Sequence, residues 1–76
     1  MADTMLNARG LSGPLPVMKA RKALRELPVG ATLEVLTTDP ASVEDFPVFC
    51  RSAGHDLLDT RHVDNAFSFV IMKGSA

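Results

Sequence analysis

Two segments of the chain carry their apolar residues along one helical face only, and this pattern limits the fold more than any other feature. When successive residues are placed about 100° apart, the apolar residues of segment 14–27 fall in one arc, as do those of segment 39–54. The arcs contain Val17, Ala20, Ala23, Leu24 and Leu27 in the first segment, and Val43, Phe46, Phe49, Cys50 and Ala53 in the second. A helix with one apolar stripe needs one covering surface, so each segment is expected to pack on a sheet.

Prolines, a glycine and an aspartate mark the ends of the two predicted helices. Pro14 opens the first helix at a position where a missing N–H loses no hydrogen bond. Asp39 is the expected N-cap of the second helix, with Pro40 in its first turn, and Gly54 is the expected C-cap. Pro47 removes a backbone donor inside that helix, which predicts a kink or a distorted first turn.

Four further segments have the composition of β-strands. Residues 5–8 form a short first strand, and residues 31–38 (ATLEVLTT) are rich in β-branched and apolar side chains. Residues 55–63 and 67–73 form the last two strands, joined by a tight turn at residues 64–65. Because Asn-Gly or Asp-Gly would be a stronger turn signal, a longer loop is the alternative.

The resulting order of elements, β-α-β-α-β-β, predicts an α+β fold built as a two-layer α/β sandwich. Both helices pack on one face of a four-stranded mixed sheet, and alternation in the last strand turns Phe67, Phe69 and Ile71 towards them. The opposite sheet face is expected to be wetter without being fully polar, which leaves a monomer or a weak dimer as alternatives. A length of 76 residues suits a single domain over residues 1–76.

Charge and cysteine content exclude several classes of protein. The net charge of −1 provides no overall positive field for a membrane or a nucleic acid. A single cysteine excludes an intramolecular disulfide and a cysteine zinc cluster, and the spacing of His55 and His62 does not fit a metal motif. The first ten residues carry Asp3 and lack an apolar core, so we expect neither a signal peptide nor a membrane segment there. These features predict a cytoplasmic protein without a metal or a cofactor.

The start of the first helix is where the local sequence indicates a reactive site. Free backbone N–H groups and the helix dipole stabilise an anion or a thiolate at a helix N-terminus. A cysteine there has a lowered pKa, and Pro14 and Pro16 stiffen the approach to it. The residue at that position is Gly13, which has no nucleophile. On the local sequence alone, Gly13 is an ordinary N-cap glycine.

The stretch LNARGLSGPLPVMKARKAL, residues 6–24, resembles the signature of the TusA/SirA-like small sulfur carriers. The first helix of that family opens with a Cys-Pro-x-Pro motif. The resemblance continues through LEVLTTDP, EDFPVFCRSAGHDLL and FSFVIMKG and covers nearly the whole chain. It implies sulfurtransferase chemistry in which the motif cysteine carries a persulfide from a cysteine desulfurase or a related donor. The sulfur then passes to another protein, in tRNA thiolation, cofactor or sulfur-oxidation pathways.

Individual residues fit the family motif unevenly. Pro14 and Pro16 match its two prolines, and Arg9 and Gly10 match the turn before it, so these residues are expected to shape the site. Gly13 stands where the resemblance places the persulfide cysteine, which leaves this chain without a catalytic residue. The chain is then either a site variant of a working carrier or a natural relative that lost the thiol. A deliberate replacement of the cysteine would usually be Ser or Ala, because glycine also alters backbone freedom, and this favours the natural relative.

Cys50 is the remaining thiol to consider as a sulfur acceptor. It lies in the middle of the apolar arc of the second helix, so we expect it to be buried. A buried thiol without a cationic neighbour has a raised pKa and behaves as a small hydrophobic side chain. Arg51 is adjacent in sequence, but adjacent helical residues do not face each other. The sequence therefore predicts an inert Cys50.

The outer surface of the first helix is a candidate docking site for protein partners. Leu15 and Met18 point away from the core close to the helix start, and cations surround them. An apolar pair among cations suits contact with an acidic protein surface, here the sulfur donor or the sulfur acceptor that the resemblance implies. The cations are Lys19, Arg21, Lys22 and Arg25.

Three functions are compatible with these features. The first is a member of the sulfur-carrier family that takes part in persulfide transfer but lacks the acceptor thiol. The second is a non-catalytic binding or regulatory module that uses the basic first helix. The third is a weak binder of anions or RNA phosphates through the helix start with Lys19 and Lys22. Direct nucleic-acid recognition is disfavoured because no aromatic residues alternate with the cations.

Overall fold

The computed structural model describes residues 2–75, and its elements follow one another in the predicted order. No helix among these residues is long and apolar enough to cross a membrane. The elements are β1 (Thr4–Ala8), α1 (Leu15–Arg25), β2 (Thr32–Thr37), α2 (Ser42–Ala53), β3 (Asp56–Val63) and β4 (Ala66–Met72).

The strands form a mixed sheet in the order β1-β2-β4-β3, and both helices pack on one of its faces. β1 and β2 are parallel, whereas β4 is antiparallel to both β2 and β3. Val63 pairs with Ala66, so the turn between β3 and β4 contains two residues, and Asp64 within it has a φ of 56°. The predicted α+β two-layer sandwich and the tight turn are confirmed, and the longer loop does not form.

Strand direction brings the starts of both helices to the same edge of the sheet. β2 and β3 run in the same direction because each is antiparallel to β4. Each helix therefore joins two parallel strands and runs back against them, as parallel connections require. The segments before the two helices meet at this edge, where the Gly13 N–H donates a hydrogen bond to Oδ2 of Asp39 at 3.0 Å.

The core lies between the helices and the sheet. The rings of Phe46 on α2 and Phe69 on β4 stack with their centroids 4.6 Å apart. Phe69 and Ile71 are fully buried and Phe67 is half-buried against the core, so the predicted alternation of β4 is confirmed. The buried apolar residues are Ala8, Ala20, Leu24, Leu33, Val35, Phe46, Phe49, Cys50, Phe69 and Ile71.

Val43 is 44% exposed, so its assignment to the buried stripe of α2 is wrong. α2 buries Ser42 in its place, and Phe46 and Phe49 follow on the same face at helical spacing. Val43 is one residue further along, about 100° around the helix, and this rotation carries its side chain to the outer surface.

α2 begins later than predicted, and Asp39 is not its N-cap. The helix starts at Ser42 with Ala41 in the N-cap position. Oδ1 of Asp39 accepts a hydrogen bond from the Ala41 N–H at 3.2 Å, and its second oxygen binds the Gly13 N–H. Both carboxylate oxygens of Asp39 therefore bind backbone groups outside α2, one within a local turn and one in the loop before α1, so neither caps the helix.

The remaining boundaries agree more closely with the sequence. α1 occupies less of the predicted segment 14–27 and has Pro14 as its N-cap, so the assignment of Gly13 to the N-cap is wrong. Gly54 ends α2 with a left-handed φ of 80°, which confirms the predicted C-cap. The helix continues through Pro47, and the kink expected there stays a prediction.

The opposite face of the sheet mixes polar and apolar side chains. Met5 on β1 is 63% exposed there. At the centre of the same face, the Ser68 hydroxyl donates a hydrogen bond to Oε2 of Glu34 at 2.6 Å. This face is therefore neither an apolar layer nor a fully polar surface.

Candidate functional site

The turn between β1 and α1 is held by one side chain of β1 and by one from the residue that follows β2. Oδ1 of Asn7 accepts hydrogen bonds from the backbone N–H of Arg9 at 3.1 Å and from its Nε at 3.0 Å. The Gly10 N–H donates to Oγ1 of Thr38 at 2.9 Å, and Gly10 has a φ of 82°. The predicted site-shaping residues Arg9 and Gly10 thus form the turn that leads the chain to the helix start.

Gly13 lies on the surface in a left-handed conformation, with a φ of 64°. Apart from the two adjacent residues, no heavy atom of residues 2–75 would lie within 4 Å of a Cβ atom added to Gly13. A side chain at this position therefore has room, but an L-residue would have to adopt a conformation that costs about 1–2 kcal/mol. Position 13 is open to a partner and suited to glycine.

Asp39 changes the electrostatics that the sequence predicts for the helix start. Its Oδ2 accepts the hydrogen bond from the Gly13 N–H, so a carboxylate already occupies this donor. The Leu15 N–H is also bound, to the Ser12 carbonyl at 3.3 Å. A further anion would meet the negative charge of Asp39 at close range, so the structure disfavours the anion-binding alternative.

The two motif prolines have different environments. Pro14 is exposed at the N-cap, whereas Pro16 is one of the fully buried side chains. Neither residue has a backbone N–H, so both reduce the number of free donors in the first turn. Pro16 therefore anchors the helix start in the core, and Pro14 faces the surface beside Gly13.

Cys50 is 2% exposed, which agrees with the predicted burial. Burial raises the pKa of its thiol to about 11, and the nearby Asp56 carboxylate adds to this increase. At neutral pH only about one thiol in 10,000 is then a thiolate, the form that attacks sulfur. The single thiol of the chain is consequently sealed inside the core.

The charges of α1 lie on its outer surface, together with two apolar residues near its start. Leu15 and Met18 are 45% and 54% exposed. Their exposure agrees with the orientation that the sequence predicts, and their role in docking stays a prediction. The exposed basic residues of the helix are Lys19, Arg21, Lys22 and Arg25.

A groove between α1 and α2 extends this surface, and sequence reasoning missed it. Its volume is about 1070 Å³, and Met18 from α1 and Val48 from α2 lie along it. Glu44 and Asp45 line the groove near the start of α2, and Arg21 lines it from α1. Val48 lies outside the apolar arc of α2 and is 53% exposed, and its position outside the arc is the sequence signal that could have identified the second wall of the groove.

The histidines do not extend the site. Nδ1 of His55 accepts a hydrogen bond from the Gly74 N–H at 3.0 Å, and the His62 ring stacks on Phe67 with centroids 4.4 Å apart. Among residues 2–75, no group of three His, Cys, Asp or Glu side chains could hold a metal ion. The candidate site therefore consists of the α1 start and the groove beside it.

Fold and site together define a small two-layer α+β domain that presents a Pro-x-Pro helix start at one edge of a mixed sheet. The family model described as sulfurtransferase TusA matches residues 4–73. The chain belongs to this family.

Individual relatives are named as sulfur carrier proteins or putative sulfur carrier proteins. The sulfur carrier protein TusA of Allochromatium vinosum is 39% identical over 71 residues, which cover 93% of each chain. A putative sulfur carrier protein of Neisseria meningitidis is 42% identical over 93% of this chain and 96% of its own. The putative sulfur carrier protein YrkI of Bacillus subtilis is 38% identical over 96% of this chain and 97% of its own.

A solved structure has the same fold. The crystal structure of a SirA-like protein from Desulfitobacterium hafniense superimposes with a TM-score of 0.83 at 26% sequence identity. The match covers 95% of this chain and 99% of that chain. The arrangement of two helices on a four-stranded sheet is thus shared by the two proteins.

Proposed function

We propose that this protein takes part in persulfide sulfur transfer by docking with the protein partners of the sulfur carriers, without carrying sulfur itself. One observation supports this above all: the only thiol of the chain, Cys50, is 2% exposed with a pKa of about 11. Position 13, where the resemblance places the persulfide cysteine, is exposed and is a glycine. The chain therefore presents the surroundings of the site without its reactive atom.

The docking part of the proposal rests on the surface around position 13. Leu15 and Met18 provide exposed apolar contact area beside Gly13, and Lys19 and Lys22 add positive charge. An apolar centre with a charged rim is typical of protein interfaces. The partners we propose are a cysteine desulfurase or another sulfur donor, and a downstream sulfur acceptor. A non-catalytic regulatory role would use the same surface.

We further propose that the protein works in the cytoplasm as one domain over residues 1–76. The family resemblance supports the location, since desulfurases and their acceptors are expected in a reducing compartment where thiols stay free. One hydrophobic core shared by both helices and the sheet supports the single domain.

Restoring a thiol at position 13 tests the site. The variant Gly13→Cys, in a Cys50→Ala background, is incubated with a cysteine desulfurase and free cysteine. We expect its intact mass to increase by one sulfur atom, because the position is exposed and has room for a side chain. Ser12→Cys in the same background is the matched control, with an exposed thiol one residue away.

The two thiol variants distinguish a site from mere exposure. Uptake by Gly13→Cys that exceeds uptake by Ser12→Cys supports a docking surface that presents position 13 to the donor. Equal uptake, or none by a Gly13→Cys variant with unchanged circular dichroism, contradicts the proposal.

Charge reversal tests the docking surface separately. Lys19→Glu with Lys22→Glu should weaken the complex between the protein and the desulfurase, since both side chains are exposed on α1. Arg61→Glu on β3 is a control that reverses one charge on the sheet layer, half the charge change of the double variant. Equal binding by all three proteins would show that α1 is not the contact.

A further inference from the structure

A second pocket lies at the opposite end of the helix layer from Gly13, and its polar lining consists of nitrogen donors. It has a volume of about 330 Å³ and is lined by Arg21, Arg25, His55 and Lys73. Leu24, Phe49 and Ala53 form its apolar side. No acidic side chain of the described residues lines it. We call this feature the cationic pocket.

Lys73 is fixed at the wall of the cationic pocket by the end of α1. Its Nζ donates hydrogen bonds to the carbonyl of Leu27 at 2.7 Å and to that of Arg25 at 3.3 Å. These carbonyls are at the negative end of the helix dipole, and the ammonium group offsets their charge. One of its three N–H donors is left for another acceptor.

The two arginines have unused donors. The guanidinium carbon of Arg21 lies 5.6 Å from the centre of the Phe49 ring, which fixes its position by a cation–π contact. Within residues 2–75, the side chains of Arg21 and Arg25 form no hydrogen bond or ion pair. Each guanidinium has five N–H donors in a planar fork that fits two oxygens of one anion.

His55 provides a further donor at the cationic pocket. Its Nδ1 accepts a hydrogen bond from the Gly74 N–H, so the neutral ring carries its proton on Nε2, as a further donor. Burial is the first cause that lowers the pKa of His55, and the charge of Lys73 is the second. Asp56 acts in the opposite direction without reversing the shift. Of the two neighbouring charges, Lys73 therefore has the larger effect on the pKa of His55.

We propose that the cationic pocket binds a small phosphate-bearing molecule. A phosphate group presents several acceptor oxygens to the free donors of Arg21, Arg25 and Lys73, and bidentate arginine contacts are the strongest of this kind. The volume is at the lower end of the range for small-molecule sites, which fits one or two phosphate groups. The pocket shares Arg21 and Phe49 with the groove but does not include position 13. Phosphate binding there involves no sulfur transfer, so this inference does not depend on the proposed function.

Sodium pyrophosphate is the probe for this pocket. It is titrated into the labelled protein at constant ionic strength, with sodium chloride as the reference, and the imidazole resonances of His55 are followed by NMR. We expect a saturable shift with pyrophosphate only. Arg25→Gln should weaken binding by about tenfold or more, since a hydrogen bond to a charged group contributes about 1.5–3 kcal/mol. Arg51→Gln is the matched control, an exposed arginine of α2 outside the pocket.

Three outcomes would overturn the proposal. The first is a His55 shift that does not saturate, or that sodium chloride reproduces, because this would indicate screening alone. The second is an equal loss of affinity in Arg25→Gln and Arg51→Gln. The third is tighter binding of a short single-stranded RNA than of pyrophosphate, because the surface would then follow a nucleic-acid backbone and not a small molecule.

Discussion

A sulfur carrier needs a sulfur atom at an accessible position. In this chain the accessible position is at the start of α1, whereas the sulfur atom is in the middle of α2. Position 13 is exposed and has room for a side chain, but it is a glycine. Cys50 has the sulfur, yet it is 2% exposed and its pKa is about 11. Access and reactivity are thus found at different positions of the helix layer. Under the proposed function, membership of a sulfur-carrier family and the ability to hold sulfur are separate properties.

The largest effect is expected where the core that seals Cys50 is opened. Phe46→Ala removes a fully buried ring that stacks on Phe69, and the free energy of unfolding should fall by about 3–5 kcal/mol. Chemical denaturation measures this change. Val48→Ala, on the exposed side of the same helix, is the control and should change stability by less than about 0.5 kcal/mol. Similar losses in both variants would contradict the described orientation of α2.

The orientation of α2 also marks the limit of sequence reasoning. Spacing alone identified Phe46, Phe49 and Cys50 as one buried face, because a helical period is a local property of the chain. The same pattern placed Val43 in that face, since it cannot show that the polar Ser42 is buried where the helix enters the core. Which residue is buried at the end of a helix depends on tertiary packing.

The contacts at the start of α1 could not be predicted from the sequence, for a related reason. The bond between Gly13 and Asp39 joins residues 26 positions apart and depends on the parallel arrangement of β1 and β2. The groove containing Val48 likewise exists only when two helices lie side by side. By contrast, the glycine C-cap at Gly54 was predictable because helix ends have local signatures.

The next effect concerns the reactivity of Cys50. Its pKa is raised from 9.0 to about 11, so at any pH below 9 the thiolate fraction is about a hundredfold lower than for a free thiol. Labelling by a disulfide reagent should be at least about a hundredfold slower in the native protein than in denaturant. The native rate should increase about tenfold per pH unit between pH 7 and pH 9. Rates within a few-fold of the unfolded chain would make Cys50 an accessible thiol.

A smaller effect is expected at Gly13 itself. Gly13→Ala places a Cβ on a residue with a φ of 64°, which should reduce the free energy of unfolding by about 1 kcal/mol without any steric clash. Thermal unfolding measures the difference. Ser12→Ala is the matched control on the same exposed turn and should have little effect. An increase in stability for Gly13→Ala would show that the left-handed conformation is not required.

The smallest change in stability is expected for the exposed apolar residue of α1 beside the site. Met18→Ala should alter the free energy of unfolding by less than about 0.5 kcal/mol, since Met18 is 54% exposed. The same variant should weaken the complex with a cysteine desulfurase, as expected for apolar contact area in an interface. A variant that loses stability but keeps binding would place Met18 in the core and remove it from the docking surface.

The mass of the unmodified protein after exposure to a cysteine desulfurase and free cysteine tests the central claim most directly. The structure places its only thiol in the core, so we predict an unchanged intact mass under conditions in which the Gly13→Cys variant gains one sulfur atom. A sulfur adduct on the unmodified chain, mapped by peptide analysis to Cys50, would contradict the account.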